Sequence, residues 1–211
     1  ILIVFAGCTD SSSKYTLIPM LYQYPDDSIG NGKSFIYTRK YSSELLTSKV
    51  SLLKEQDSTY RIVVNYEGDI LADSSRYYNG KLIEMYAFYM SGDRSATKAI
   101  IAQDTIMDSK AGKIRRSKLI YPTEFNTYIV TNEESYVKDS SAVWKGKKLN
   151  CLIVNNKMNW QMIPKSGADS GFVYKYNNYG TAIYGKGIGN LHSTVHSRDT
   201  NDTLTLKEIK D

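Results

Sequence analysis

Tyr78-Asn79-Gly80-Lys81-Leu82-Ile83-Glu84-Met85-Tyr86-Ala87-Phe88-Tyr89-Met90 is the stretch whose reading decides the fold. Asn-Gly tolerates the positive φ values of a two-residue type I′ turn, so Asn79-Gly80 predicts a β-hairpin. The arm that follows, Leu82 to Met90, is long and aromatic-rich, as a strand prefers. Leu82-Ile83 and Met85-Tyr86-Ala87-Phe88 are apolar at consecutive positions. That pattern predicts a sheet covered on both sides, or one wrapped around an apolar interior.

Working outward, Ser34 to Tyr41 alternates, with Phe35, Tyr37 and Tyr41 on one face. Lys49 to Lys54 and Thr59 to Tyr66 flank a second hairpin turn at Gln56-Asp57-Ser58. Further strands are expected over 99–107, 114–121, 127–138, 149–154, 158–163, 172–176, 191–197 and 204–209. Their connectors carry Ser91-Gly92-Asp93, Lys110 to Gly112, Lys145-Gly146, Lys165 to Gly171 and Asp199 to Asp202. Ser43 to Leu53 is the one window where a helix competes. The expected fold is mainly β, an antiparallel meander forming a curved open sheet, half-barrel or barrel, with little helix.

The chain of 211 residues is long enough for one domain with a real core. Hydrophobic residues at 41% and charged residues at 23% argue against disorder. The 18 Tyr against 5 Phe suit half-wet sheet faces, because tyrosine joins an apolar ring to a polar tip. The net charge of +5 is spread along the chain. Its densest stretches are Lys110, Lys113, Arg115, Arg116 and Lys118, and then Lys145, Lys147 and Lys148. Both flank glycine turns without a nucleic-acid motif, so no nucleic-acid partner is expected. Anionic lipid headgroups are the more natural use of such charge on a tethered protein.

Residues 1 to 10 read Ile-Leu-Ile-Val-Phe-Ala-Gly-Cys-Thr-Asp, and Ser11-Ser12-Ser13 follow. An apolar run of this length is too short to span a bilayer, which needs about 20 residues. It reads as the end of a signal peptide, with small residues before the cut. Phe5-Ala6-Gly7-Cys8 resembles the lipobox of bacterial lipoproteins, with Phe5 where that family prefers Leu. The resemblance implies a diacylglyceryl group on the Cys8 thiol and cleavage just before it. It also implies a cell-envelope location, on the periplasmic or surface side, with the membrane as partner. The expected organisation is a signal-peptide remnant at 1–7, a lipidated tether at 8–32 partly packed on the domain, and one β domain at 33–211. Cys151 then has no disulfide partner, and its apolar run Leu149 to Val154 marks a buried, inert thiol.

The C-terminal third carries a second resemblance. Trp144-Lys145-Gly146-Lys147-Lys148-Leu149-Asn150-Cys151, Tyr184-Gly185-Lys186-Gly187 and Leu204-Thr205-Leu206-Lys207-Glu208-Ile209 are similar to a family of Gram-negative periplasmic β-sheet proteins and lipoproteins. It implies turns and strands and no chemistry.

The functional residues are sparse. Gly185-Lys186-Gly187-Ile188-Gly189 lacks both the P-loop pattern and a following helix, so it fits a bulged or closely approached strand. His192 and His196 would stand about 13 Å apart on a strand, too far to share a metal. Asp199 to Asp202 lacks the Gly and Glu of a calcium loop and reads as a hairpin turn. Glu133-Glu134 and Asp26-Asp27 are expected in polar loops. No catalytic residue, metal site or cofactor is expected. The expectation is a non-enzymatic envelope lipoprotein whose curved sheet binds an apolar, lipid-like ligand or an envelope protein. Tyr174, Tyr176, Tyr179 and Tyr184 are its candidate ligand-binding residues. The alternatives are a structural or interaction lipoprotein with a solid core, and an envelope-glycan hydrolase.

Overall fold

In the computed structural model, the described residues are 3–4 and 34–210, less 42–43, 56–58, 67–69, 79–80, 89–94, 110–111, 168–169, 171, 187 and 199. Cys8, the expected tether at 8–32 and Asp26-Asp27 lie outside them. The described residues form fourteen β-strands: β1 Ile3–Val4, β2 Ser34–Tyr41, β3 Glu44–Lys54, β4 Thr59–Tyr66, β5 Ile70–Tyr78, β6 Lys81–Ala87 and β7 Thr97–Lys98, then β8 Ile100–Ser109, β9 Gly112–Pro122, β10 Asn126–Trp144, β11 Lys147–Pro164, β12 Tyr174–Gly185, β13 Gly189–His196 and β14 Asn201–Lys210.

Tyr78 pairs with Lys81, which leaves a two-residue connection at Asn79-Gly80 as the hairpin reading required. A second such turn joins β10 to β11. Trp144 pairs with Lys147, and Lys145 and Gly146 take φ values of 47° and 77°. In the window at 43–53, where a helix competed, residues 44–53 belong to strand β3. Alternation of Val50 with Ser48, both buried, suits a strand facing a core.

Every pairing in the sheet is antiparallel, in the order β7-β6-β5-β4-β3-β2-β14-β13-β12-β11-β10-β9-β8. The two edges of this path are consecutive in sequence, so the meander nearly closes into a barrel with one seam. The seam lacks a regular ladder. Ala99 N donates to Met85 O at 2.8 Å, and Leu82 N donates to the Asp104 carboxylate at 2.8 Å. Register shifts at several pairs, including Tyr136/Lys138 and Ile183/Tyr184, supply the bulges that curl a sheet this far.

Off the main path, Ile3 and Val4 pair with Ala142 and Ser141 of β10. The longest strands are fewer and longer than the sequence suggested. The segments at 149–154 and 158–163 are one strand, β11, and β10 continues past Lys138 through a bulge.

Three buried clusters hold the barrel. The first gathers Phe35, Tyr37, Val50, Ile62, Ala142, Cys151, Leu191 and Leu206. The second packs Leu82, Ala87, Ala99, Leu119, Tyr121 and Val130 along the seam. Leu152, Val154, Ala182 and Tyr184 form the third. A fully buried side chain of this size contributes about 1.5–3 kcal/mol, so Phe35 and Tyr37, each 1% exposed, are principal anchors.

Gly180 is fixed by the tight approach of β13. A Cβ there would stand 1.8 Å from the Thr194 carbonyl oxygen, so alanine forces the backbones apart. Gly180→Ala is expected to cost about 2–3 kcal/mol in urea denaturation, and an unchanged midpoint would refute the close approach.

Candidate functional site

Cross-strand partners share a sheet face, so the register sorts the side chains into rows. One row runs Tyr128–Met162–Tyr174, the next Val130–Trp160–Tyr176, and the next Asn132–Met158–Asn178. A fourth runs Arg115–Glu134–Asn156–Gly180–Val195–Asp202. Because this face carries Val130, Leu119 and Tyr121, all buried, it is the inner face.

At the end of the barrel where these rows begin, a pocket of about 340 Å³ opens. Its lining combines the rings of Tyr128, Trp160 and Tyr176 with Arg39, Gln161, Asn178, Ser197, Thr200 and Asp202. Arg39 Nε donates to Asp202 Oδ2 at 2.7 Å, and this pair spans β2 and β14. Among the described lining residues, Asp202 is the one carboxylate. The pocket therefore offers flat aromatic faces beside a neutralised ion pair and several amides and hydroxyls. It is suited to hold a ligand by stacking and hydrogen bonding.

Further in, the polar residues form a belt. Arg115, 8% exposed, donates to Asp104 Oδ1 at 2.9 Å and lies over the Tyr77 ring at 5.5 Å. Burial pushes the Glu134 carboxyl up from its ordinary value, and the Arg115 charge opposes that shift. Burial also pushes Asp73 up to about 7. Tyr121 is shifted the same way by its own burial and then by the charge of Asp73.

A second concavity, about 670 Å³, lies on the opposite face of the sheet, lined in part by Glu133, Lys157, Tyr179, Thr181, Thr194 and His196. There the Tyr179 and His196 rings sit 5.4 Å apart.

The four candidate tyrosines do not form one lining. Tyr176, 59% exposed, lines the inner pocket, and Tyr174, 37% exposed, lies opposite Met162 in the adjoining row. Tyr179 points to the other face and belongs to the second concavity. Tyr184, 6% exposed, is packed into a buried cluster at the far end of β12. Alternation along one strand separates them, and an eleven-residue reach spans too much of the barrel for one site.

Other sequence readings also find their places. Glu133 and Glu134 lie in the middle of β10 rather than in a loop, one on each face. The basic stretch from Lys110 to Lys118 is divided too. Arg115 turns inward, and Arg116 pairs with Glu133 at 2.7 Å. His192 Nδ1 bonds Thr205 Oγ1 at 2.9 Å, and His196 Nδ1 bonds Asn201 Oδ1 at 2.8 Å. Gly185 and Gly189 pair across the β12–β13 turn beside a bulge, so the expected closely approached strand is a bulged hairpin end. Asp202 is a strand residue, and the turn is held instead by Ser197 N donating to Thr200 O at 2.9 Å. Cys151 is buried and unpaired in any disulfide, with burial pushing its thiol pKa up. Sequence reasoning missed Arg39, Tyr128, Trp160 and Asp202. Trp160 lay in an expected strand, but only long-range register places it opposite Val130 and Tyr176.

No family model matches the chain, and neither does any curated protein. Solved structures do. A candidate lipoprotein from Parabacteroides distasonis superposes with a TM-score of 0.52 at 10% identity, covering 90% of this chain and 98% of that one. A candidate exported protein with YmcC-like fold from Bacteroides fragilis gives 0.44 at 14% identity, covering 90% and 99%. The hypothetical lipoprotein YmcC from Escherichia coli gives 0.39 at 7% identity, covering 82% and 86%. The likeness to the Parabacteroides structure extends well beyond 144–209, where the sequence resemblance ended, and what it establishes is a shared fold.

Proposed function

We propose that this chain is an envelope lipoprotein, held at a membrane by acyl chains on Cys8, whose barrel binds a compact ligand at its open end without transforming it. The observation that carries the binding role is the pocket walled by Tyr128, Trp160 and Tyr176 and floored by the Arg39–Asp202 pair. At about 340 Å³ it sits at the small end of ligand sites, which run from about 300 to 1,000 Å³. A two-chain lipid is too large for it, so the ligand is smaller and more polar than a wholly apolar lining would select. Asp202 is engaged by Arg39, which suits it to hold a ligand rather than to shuttle a proton.

The tether is supported by Ala6-Gly7-Cys8 behind an apolar run and by the description of the Parabacteroides structure as a candidate lipoprotein. On this reading β1 belongs to the precursor, because cleavage before Cys8 removes Ile3 and Val4.

Two measurements test the proposal. Cys8→Ser is expected to move the protein from the membrane fraction to the soluble one, and retention at the membrane would refute the anchor. A small-molecule extract of the host envelope is expected to raise the melting temperature of the wild type. Trp160→Ala should lose about 2 kcal/mol of binding, roughly thirtyfold in affinity, while Tyr179→Ala on the opposite face leaves it unchanged. Equal shifts in all three proteins would place the ligand elsewhere.

A further inference from the structure

Strand β10 outruns its neighbour on one side. It pairs with β11 from Asn126 to Trp144, but with β9 only from Thr127 to Ser135. Beyond Tyr136 its other edge meets, among the described residues, the short strand β1, with Ile3 opposite Ala142 and Val4 opposite Ser141. An extended apolar segment is therefore seated on this edge as an added antiparallel strand. On the anchor reading, cleavage before Cys8 removes that segment.

The edge it leaves is suited to take another strand. Trp144 and Lys147 close a two-residue turn, so they form a hydrogen-bonded pair. Ser141 and Val143 alternate with Trp144, so they aim their N–H and C=O groups away from β11 and toward the β1 side. Native proteins blunt such edges with charge or proline, and Ser140 to Val143 carries neither. Val143 is 37% exposed, whereas Ala142 is 4% exposed and belongs to the first buried cluster. Cross-strand partners share a face, so the place opposite Ala142 favours an apolar residue.

We infer that the mature protein accepts an extended apolar segment of a partner protein on the β10 edge from Ser140 to Trp144, in the place that β1 holds in the precursor. Main-chain hydrogen bonds give the affinity, and the residue opposite Ala142 gives the preference for an apolar strand. The inference rests on the anchor reading above and concerns a surface apart from the inner pocket, none of whose lining residues lies on this edge.

The probe is a fluorescein-labelled peptide with the sequence of residues 1–5, Ile-Leu-Ile-Val-Phe, between lysines that keep it soluble. Its anisotropy is followed as it is titrated with the protein extracted from its host membrane in detergent, and with the full chain of residues 1–211 carrying Cys8→Ser. Masses of both proteins establish whether residues 1–7 are present. Saturable binding to the extracted protein is expected, roughly tenfold tighter than to the full chain, whose own β1 covers the edge. The Val of the peptide stands opposite Ser141, so N-methylating it should weaken binding about tenfold. Uptake of the peptide by micelles gives no such loss. Val143→Pro deletes a donor on the same side, spares the β11 ladder and should act alike. The N-methylated peptide decides the matter should that variant fail to fold. An extracted protein that lacks residues 1–7 and ignores the peptide overturns the inference and leaves the anchor standing. One that still carries them overturns both, because β1 then stays on the edge. Binding indifferent to N-methylation places the peptide elsewhere, and a dimer of the extracted protein that Val143→Pro dissolves makes the occupant a second copy instead of a partner.

Discussion

Asp104→Ala is expected to destabilise the barrel by about 3–5 kcal/mol, the cost of stranding a buried charge. Asp104 does two things at the seam. Its Oδ1 accepts from Arg115 Nε at 2.9 Å, and its Oδ2 accepts from Leu82 N at 2.8 Å. The pair is almost wholly enclosed, with side-chain exposures of 10% for Arg115 and 8% for Asp104. Removing the carboxylate leaves the guanidinium without its counter-charge and a strand-edge N–H without its acceptor. The second loss matters because Leu82 lies on β6 and Asp104 on β8, the strands that meet where the ladder is incomplete. The double change Asp104→Leu with Arg115→Met should recover most of the stability, since a buried pair is replaceable by packed apolar groups. Urea denaturation of the three proteins decides it. A loss below about 1 kcal/mol in Asp104→Ala would mean that the carboxylate does not bridge the seam.

Asp73→Asn is expected to stabilise the protein at alkaline pH, an outcome with the opposite sign. Asp73 pairs across the sheet with Val64 and Ala87, and burial raises its pKa to about 7. In the unfolded chain the group titrates near 3.9. Between about pH 4 and 7 the folded protein therefore keeps a proton that the unfolded chain has released. Stability falls as pH rises through that window and is level above it. Asparagine mimics the protonated carboxyl and carries no such loss. The variant should match the wild type near pH 4 and exceed it by about 4 kcal/mol at pH 8. Glu134, also raised by burial, adds a decline of its own that both proteins share. A constant difference between the two proteins across that range would contradict the buried, protonated state.

The meander was legible because its punctuation is local. Asn79-Gly80 and Lys145-Gly146 mark two-residue turns whose chemistry needs no tertiary context, and both flanking pairs close as expected. Strand β5 was not legible as a strand. Its centre, Asp73-Ser74-Ser75-Arg76, is polar, and its place in the sheet follows from the belt of polar groups inside the barrel. The same belt hid Arg115 within a stretch that reads as a solvated basic patch. Bulges defeat alternation in another way. The shift between Tyr136 and Lys138 exchanges the faces of β10 partway along, so counting by twos from one end misplaces the other. The candidate tyrosines illustrate the limit for sites. Tyr176 lines the inner pocket and Tyr179 and Tyr184 do not, whereas Arg39 and Asp202 are 163 positions apart in sequence and meet only through barrel closure.

The central claim is that the open end of this barrel holds a compact ligand on a lipid-tethered protein. Native mass spectrometry of the protein extracted from its host membrane tests it most directly. The account predicts a chain that begins at an acylated Cys8, with one added small molecule that Trp160→Ala fails to retain. An unacylated chain still carrying residues 1–7, or identical adduct-free masses for wild type and variant, would contradict it.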